Sequence, residues 1–449
     1  EHEEQSSVVV VALDGTSCEA VLPLPALDAT LEQWRAARYR LPPGDVILNR
    51  DALEAAQRQL AQDPGGDWMR GRWLRHAYLA SRAPLALGSS FWGVVRGGES
   101  FPDDRATVLR MVVQNALALH RLVPDDPIWG SVRIPHPGGD HIERHVAATH
   151  WVLAWRGHFW RCDGVPSAAA LDAVASDTAP FADVGCLTAA DRDTWAARRA
   201  DLRRTDAATL DAIESALFVV CLDDSRGGGT QGRRSFLERS AAAAVGESGN
   251  RGNRWYDKGL QLFVDGDGAL GCCIEHSALE GIESLDMVRR ILARVPVPII
   301  DNEESVAPSL ESLCWSRPQQ CPAEAAALEA HAATLAERHL EWDGVGSRSL
   351  AARSISPDAL LQLAVQLTYA RLHGSGDGDG DVTVVYESVS TGHFIGGRTA
   401  TGRPATPEAR AFVRQPTREA LLRAAASHDA MLARVSGGGG FDRHVLCLN

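Results

Sequence analysis

Lysine is nearly missing from this chain. Lys258 is the single lysine among 45 basic residues; the rest are arginine. The skew reads as the base composition of the gene, and it singles out Lys258 for inspection. No dense basic run occurs, and the net charge is −13. Phosphate backbones are held by basic patches, so nucleic acid is not an expected partner. No uninterrupted apolar run reaches the roughly 18 residues of a membrane helix, so no transmembrane segment is expected. The start, EHEEQSSVVVVALDG, has neither the basic leader nor the long apolar core of a signal peptide. It also lacks an initiator Met, which suggests a processed chain or one cut from something longer. The nine cysteines form no CxxC and show no paired metal-ligand spacing. Neither a metal site nor a disulfide framework is therefore expected. Reduced, mostly buried thiols and an intracellular setting are, with the compartment open.

The chain has 449 residues, 45% apolar and 23% charged. That length fits two or three domains with a sizeable core. Helical periodicity is expected at Thr30–Tyr39, Asp51–Gln62, Trp68–Ala80, Arg105–Leu122 and Arg192–Leu202. Ala207–Val220, Leu285–Arg294, Ala323–Leu340 and Thr417–Val435 read as further helices. Ser356-Pro357-Asp358 opens another by rule: a serine cap, proline at the first position, then an acid. HWVLAWRGHFWRCD, at 150–163, reads as two strands around an Arg156-Gly157 turn. GLQLFVDGDGALGCCIEH, at 259–276, reads as a second hairpin, and DVTVVYESVS as a strand. The proline-spaced, acidic segment 295–308 reads as a linker. Strands and helices alternate on both sides of it, so the class is α/β with mixed sheets flanked by helices. Asp377, Asp379 and Asp381 alternate like a calcium loop, but the sixth position is Val382 and the twelfth Ser388. A solvated loop is the preferred reading. The glycine run at 227–232 lacks the strand and the acid of a dinucleotide site.

The stretch GCCIEHSALEG, at 271–281, reads either as an ordinary strand end whose histidine is satisfied by a neighbour or as a histidine held by a carboxylate so that it can move a proton. An apolar strand ends in Glu275 and His276, and Glu280 follows four residues later. A carboxylate on one ring nitrogen fixes the tautomer and leaves the other as a base. The small Ser277 and Ala278 would leave room for a substrate. Cys272 and Cys273 are rival nucleophiles. Their apolar strand should raise their pKa and silence them.

NRWYDKGLQLFVDGDGALGCCIEHSALEG, at 253–281, resembles the catalytic segment of the choline/carnitine acyltransferase family. Lys258 falls on the lysine of that motif. Five further stretches resemble family blocks in the same order: GDWMRGRWLRHAYL at 66–79, DRDTWAARRADL at 191–202, SPDALLQLAVQLTYARLHG at 356–374, YESVSTGHFIGGRTATGRP at 386–404 and FDRHVLCL at 441–448. The resemblance covers about residues 65–449 and implies a two-domain coenzyme A-dependent acyltransferase fold. The expected parts are an N-terminal segment of a strand plus helices (1–64), a catalytic domain (65–300) and an acceptor/CoA-binding domain (301–449). The second domain is expected to be incomplete, because the family continues beyond this point into a Ser-Thr-Ser strand.

The resemblance also implies roles. His276 takes the proton of the acceptor hydroxyl, which attacks the thioester directly, and Glu280 completes the catalytic pair. Tyr386, Thr399 and Arg443 match the residues that hold carnitine's carboxylate, and the alternative for Arg443 is an ion pair with Asp442 or Glu387. Asp358 matches a coenzyme-contacting aspartate, with helix-start acid as its alternative. Arg348 and Arg353 stand in for lysines that meet the 3′-phosphate, since Ser347 and Ala351 occupy those positions. Gly392 stands where many members have arginine. Acyl-CoA is then a substrate, and no covalently bound cofactor is implied. Two alternatives stay open. One resembles the carnitine-acyltransferase-like domains of some polyketide synthases, which offload an acyl chain from an acyl carrier protein onto a small alcohol. The other is a non-catalytic binding module that keeps the fold.

Overall fold

The computed structural model describes residues 22–36, 49–62, 67–94, 105–176, 183–223, 252–266, 270–293, 308–316, 321–334, 344–373, 382–394 and 397–448. The strand expected at the chain start, the glycine run 227–232, most of the linker 295–308 and the aspartates 377, 379 and 381 lie outside them. Contacts divide the chain into two units. Leu74–Leu340 forms a sheet unit; Glu1–Trp73 and Glu341–Asn449 form a terminal unit.

The strands of the sheet unit, in chain order, are β1 (Phe91–Val94), β2 (Ser131–Ile134), β3 (His141–Arg144), β4 (Trp151–Trp155), β5 (His158–Asp163), β6 (Val219–Leu222), β7 (Leu260–Val264), β8 (Leu270–Ile274) and β9 (Ser309–Leu313). Seven of them form one sheet in the order β1-β8-β7-β6-β4-β5-β9. β4, β6 and β7 run parallel to one another, and the remaining pairs are antiparallel. β2 and β3 make a separate hairpin. β9 lies past the expected boundary at residue 300, yet it pairs with β5 inside this sheet.

Strand alternation builds two cores. Trp151, Leu153, Val220, Leu262 and Cys272 face one side, against Val112 and Ala116 of the helix Arg105–Leu122 and Val288 of the helix Gly281–Ile291. Val152, Ala154, Cys221, Phe263 and Cys273 face the other, against Trp195, Leu210 and Leu328 of three further helices. Adjacent residues therefore serve opposite cores, as the two-residue strand period requires. The turn between β4 and β5 has φ of 52° at Arg156 and 77° at Gly157. Two successive positive φ values match the right-handed twist of the flanking strands. One helix is shorter than expected. Ala207–Glu214 ends at Ser215, and Val219–Leu222 is a fully buried strand. The β-branched pair Val219-Val220 suits a central strand better than a helix end.

In the terminal unit, β10 (Glu387–Ser390) pairs with β11 (Thr399–Gly402). Helices Pro357–His373, Pro407–Arg414 and Arg418–Arg434 share a core of Ala359, Leu363, Phe412 and Ala424. Helices Leu27–Ala36 and Arg50–Ala61 pack with the helix Asp442–Leu448. His444 ties the three together: its Nδ1 meets Thr30 Oγ1 at 2.7 Å and its Nε2 meets Gln57 Oε1 at 2.6 Å. The strand expected over DVTVVYESVS reduces to Glu387–Ser390. Gln366 explains part of the loss. Its side chain donates to Thr383 O and accepts from Thr383 N, so it takes the groups a ladder would use. Among the described residues, no helix is long and apolar enough to cross a membrane.

Candidate active site

β8 carries the site to its position. A Cβ at Gly271 would lie 2.2 Å from the Phe263 ring and 2.7 Å from Gly93 O, so only glycine lets this strand enter between its neighbours. The apolar run ends at Ile274, and the next two residues split. Glu275 turns inward and is buried, while His276 is half-buried. The imidazole stands edge-on to Tyr78 and Phe91, with both ring centroids 5.1 Å away. Its Nδ1 lies 2.8 Å from the backbone oxygen of Leu279. A carbonyl only accepts, so Nδ1 carries the proton and Nε2 of the neutral ring carries the lone pair. The sequence spacing pointed to the Glu280 carboxylate for this contact. The structure places the Leu279 carbonyl at Nδ1, and Glu280 stands at the N-cap position of the helix Gly281–Ile291 in extended backbone, with no capping hydrogen bond from its side chain.

Ser277 is buried and is not an approach for substrate. Its N–H and Oγ–H both donate to Glu275 Oε2. Glu275 Oε1 meets Arg133 at 3.3 Å, and a buried chain of charge follows. Arg133 Nε donates to Asp140 at 2.7 Å, Asp140 accepts from Arg192 at 2.7 Å, and Arg192 reaches Asp257 at 2.7 Å. Burial works against the Asp140 carboxylate, but Arg192 and Arg133 hold its pKa below the ordinary value. Burial pushes Asp257 up to about 6 despite Arg192.

The NRWYDK motif braces this region from behind. Asn253 accepts from Gly157 N and donates to Leu222 O, both at 2.5 Å. Arg254 grips Asp223 with two bonds of 2.8 and 2.7 Å, fully buried. Asp257 accepts from Trp195 Nε1. The lone Lys258 is wholly buried, and its Nζ donates to the carbonyls of Glu214 and Ala216, just where the helix Ala207–Glu214 ends. Burial lowers its pKa to about 7. Lys258 is thus a helix-end brace. Burial also raises the Cys272 thiol to about 12 and Cys273 well above its ordinary value, so neither is a nucleophile.

In the terminal unit, the structure gathers the three residues matched to acceptor binding. Arg443 Nη2 donates to Tyr386 Oη at 3.1 Å, and its Nε donates to Thr399 O at 2.9 Å. Its guanidinium carbon stacks 3.4 Å above the Trp73 ring. Of the acids weighed as its alternative partners, Asp442 accepts from Arg403 and Glu387 meets His428. A planar fork laid on a tryptophan beside an exposed tyrosine hydroxyl is suited to a carboxylate.

The residues matched to coenzyme binding are less gathered. Arg348 lies on the short helix Ser347–Ala351, and Arg353 just beyond it donates to Ser349 O; both are exposed. Asp358 opens the helix Pro357–His373, where Ser356 Oγ caps Ala359 N at 3.1 Å. Its carboxyl shares a hydrogen bond with Glu387, which raises it to about 6. Glu387 Oε2 meets His428 Nε2 at 2.9 Å. Burial opposes the His428 imidazolium, but Glu387 and Asp358 outweigh it and raise its pKa. Asp358, Glu387 and His428 place one ligand atom each within 4.8 Å of one another, the donor set of a divalent cation. The hydrogen bond between the Asp358 and Glu387 carboxyls and the nearby His428 set the balance of charge in this cluster.

Sequence reasoning missed Arg133, Asp140, Trp73 and His428, and gave Glu275 no role. One signal existed for Glu275: an ionisable residue directly following a five-residue apolar strand, which burial forces to find a partner. The others come from distant segments that only the fold assembles.

The family model for choline/carnitine O-acyltransferase matches residues 22–449. Human choline O-acetyltransferase is 26% identical over 468 aligned residues, covering 88% of this chain and 60% of that protein. Rat mitochondrial carnitine O-palmitoyltransferase 2 is 28% identical, covering 72% of this chain and 52% of that protein. Mouse carnitine O-acetyltransferase is 25% identical, covering 85% and 68%. The chain thus spans 52–60% of the length of the first two relatives. With the model matched from residue 22 to the last residue, and His276 held at the end of its strand, the chain belongs to the choline/carnitine O-acyltransferase family.

Proposed function

We propose that this chain moves an acyl group between a thioester, acyl-CoA, and the hydroxyl of carnitine or a related small acceptor, with His276 as general base. The observation that carries it is the Nδ1 contact to Leu279 O, which sets the tautomer whose Nε2 bears the basic lone pair. The acceptor oxygen attacks the thioester carbonyl carbon as its proton passes to Nε2. The C–S bond breaks from the tetrahedral intermediate, and the leaving thiolate takes the proton back from the imidazolium. No acyl-enzyme forms, in keeping with the silent Cys272 and Cys273. Arg443, Tyr386 and Thr399 hold the acceptor carboxylate, which favours carnitine over choline. Incubation with acetyl-CoA and carnitine should yield O-acetylcarnitine by mass spectrometry; absence of product with every acyl chain length tried would remove free acyl-CoA and carnitine as the pair.

A second reading has one observation in its favour. Ser347 and Ala351 stand where the resemblance places lysines. A donor without a 3′-phosphate, such as an acyl chain on a carrier protein's phosphopantetheine arm, needs no such lysines. Faster transfer from an acyl carrier protein than from acyl-CoA would favour it.

A further inference from the structure

We propose that Arg133 is a positioning residue for His276, joining the residue before it and one aromatic wall of its ring through one guanidinium. The inference rests on the general-base reading of His276. Arg133 belongs to β2 and is 1% exposed. Its Nη1 lies 3.3 Å from Glu275 Oε1, and Glu275 is the residue before His276. Its Nη2 donates to Tyr78 O at 2.8 Å, and the Tyr78 ring is the edge-on wall of the imidazole. One planar fork therefore joins the segment that carries the base to the segment that walls it.

The fork is itself aimed. Asp140 Oδ2 accepts from Arg133 Nε at 2.7 Å and from Arg192 Nε at 2.7 Å, while Asp140 Oδ1 accepts from Arg82 at 2.8 Å. The Asp140 N–H donates to Leu79 O at 2.9 Å, next to Tyr78. Glu275 is fixed from its other side by Ser277, on the far side of His276 in the chain. The Tyr78–Leu79 segment and the Glu275–Ser277 segment beside the imidazole are thus both tied to Arg133 or to its carboxylate partners. Three acceptors, one on each guanidinium nitrogen, suit an arginine and not an ammonium. A base displaced by about 1 Å can lose roughly 10²-fold in rate.

The test uses the full chain labelled with ¹⁵N-histidine, as wild type, Arg133→Gln, Arg133→Lys and Glu275→Gln, each checked for native circular dichroism. Imidazole ¹⁵N shifts report the His276 tautomer, assigned against His276→Ala. Wild type should show the Nδ1–H tautomer alone. Arg133→Gln and Arg133→Lys should show a mixture, with kcat lower by about 10–100-fold and both KM values within about twofold. A purely structural role would lower thermal stability and leave the tautomer and kcat unchanged in the folded protein, and that result overturns the proposal. Should Arg133→Gln fail to fold, Glu275→Gln keeps the side-chain shape and carries the same expected and overturning results. If wild type transfers no acyl group, the functional proposal fails alone, and the tautomer comparison decides the role of Arg133.

Discussion

His276 and Leu279 close a tight loop: the ring Nδ1 sits 2.8 Å from the Leu279 carbonyl oxygen. A backbone acceptor at this distance is enough to hold the Nδ1–H tautomer. Glu280 is therefore expected to matter less than its spacing suggests. Glu280→Gln should lower kcat by less than about tenfold, because only the charge near the imidazolium changes. A loss equal to that of His276→Ala, measured by thiol release, would return the tautomer-fixing role to Glu280.

Arg443 offers a sharper separation of binding from chemistry. A charge-assisted fork on a carboxylate contributes about 1.5–3 kcal/mol, or roughly 10–100-fold in affinity. Arg443→Ala should raise the acceptor KM by that factor and leave the thioester KM within about twofold. Arg443→Lys should recover little, because an ammonium cannot reproduce the stack on Trp73 at 3.4 Å or the bonds to Tyr386 and Thr399. An unchanged acceptor KM would remove Arg443 from acceptor binding.

Local pattern made much of this fold legible. The hairpin at 150–163, the second hairpin ending in His276 and the helix opening at Ser356 all follow from strand alternation, turn residues and caps. The opposite facing of Cys272 and Cys273 follows from strand period alone. Short strands such as Phe91–Val94 and Ser309–Leu313 were not legible, since four or five residues carry little periodicity and their pairing is distant. The Ala207–Val220 error has the same origin: apolar residues fit either period until neighbouring strands decide. His276 and Arg443 were readable from motifs. Arg133 and Trp73 were not, because their partners lie far away in sequence, as with Glu275 for Arg133 and Arg443 for Trp73.

Lys258 gives a stability test with a definite sign. Burial lowers its pKa from 10.5 to about 7. Between those values the unfolded chain carries a proton that the folded chain lacks, so this group makes stability rise with pH from 7 towards 10.5. Lys258→Met should remove that share of the rise, seen as a flatter Tm between pH 7 and 9 than wild type. At pH 8 the variant should lose about 1–3 kcal/mol, because the carbonyls of Glu214 and Ala216 lose their donor. Identical pH slopes in the two proteins would contradict a buried, depressed lysine.

The thiols give a prediction about reactivity. Among the described cysteines Cys314 is exposed, and Cys162, Cys186, Cys221, Cys272, Cys273, Cys321 and Cys447 are buried. Iodoacetamide on the native chain should label Cys314 before any of these, as mapped by peptide mass spectrometry. Rapid labelling of Cys272 or Cys273 would reopen a covalent mechanism.

The most direct measurement is carnitine-dependent thiol release from acyl-CoA, over several chain lengths, for wild type and His276→Ala. The expected result is release that requires carnitine and falls by at least about 10²-fold in His276→Ala. Release by His276→Ala at the wild-type rate would contradict His276 as the base.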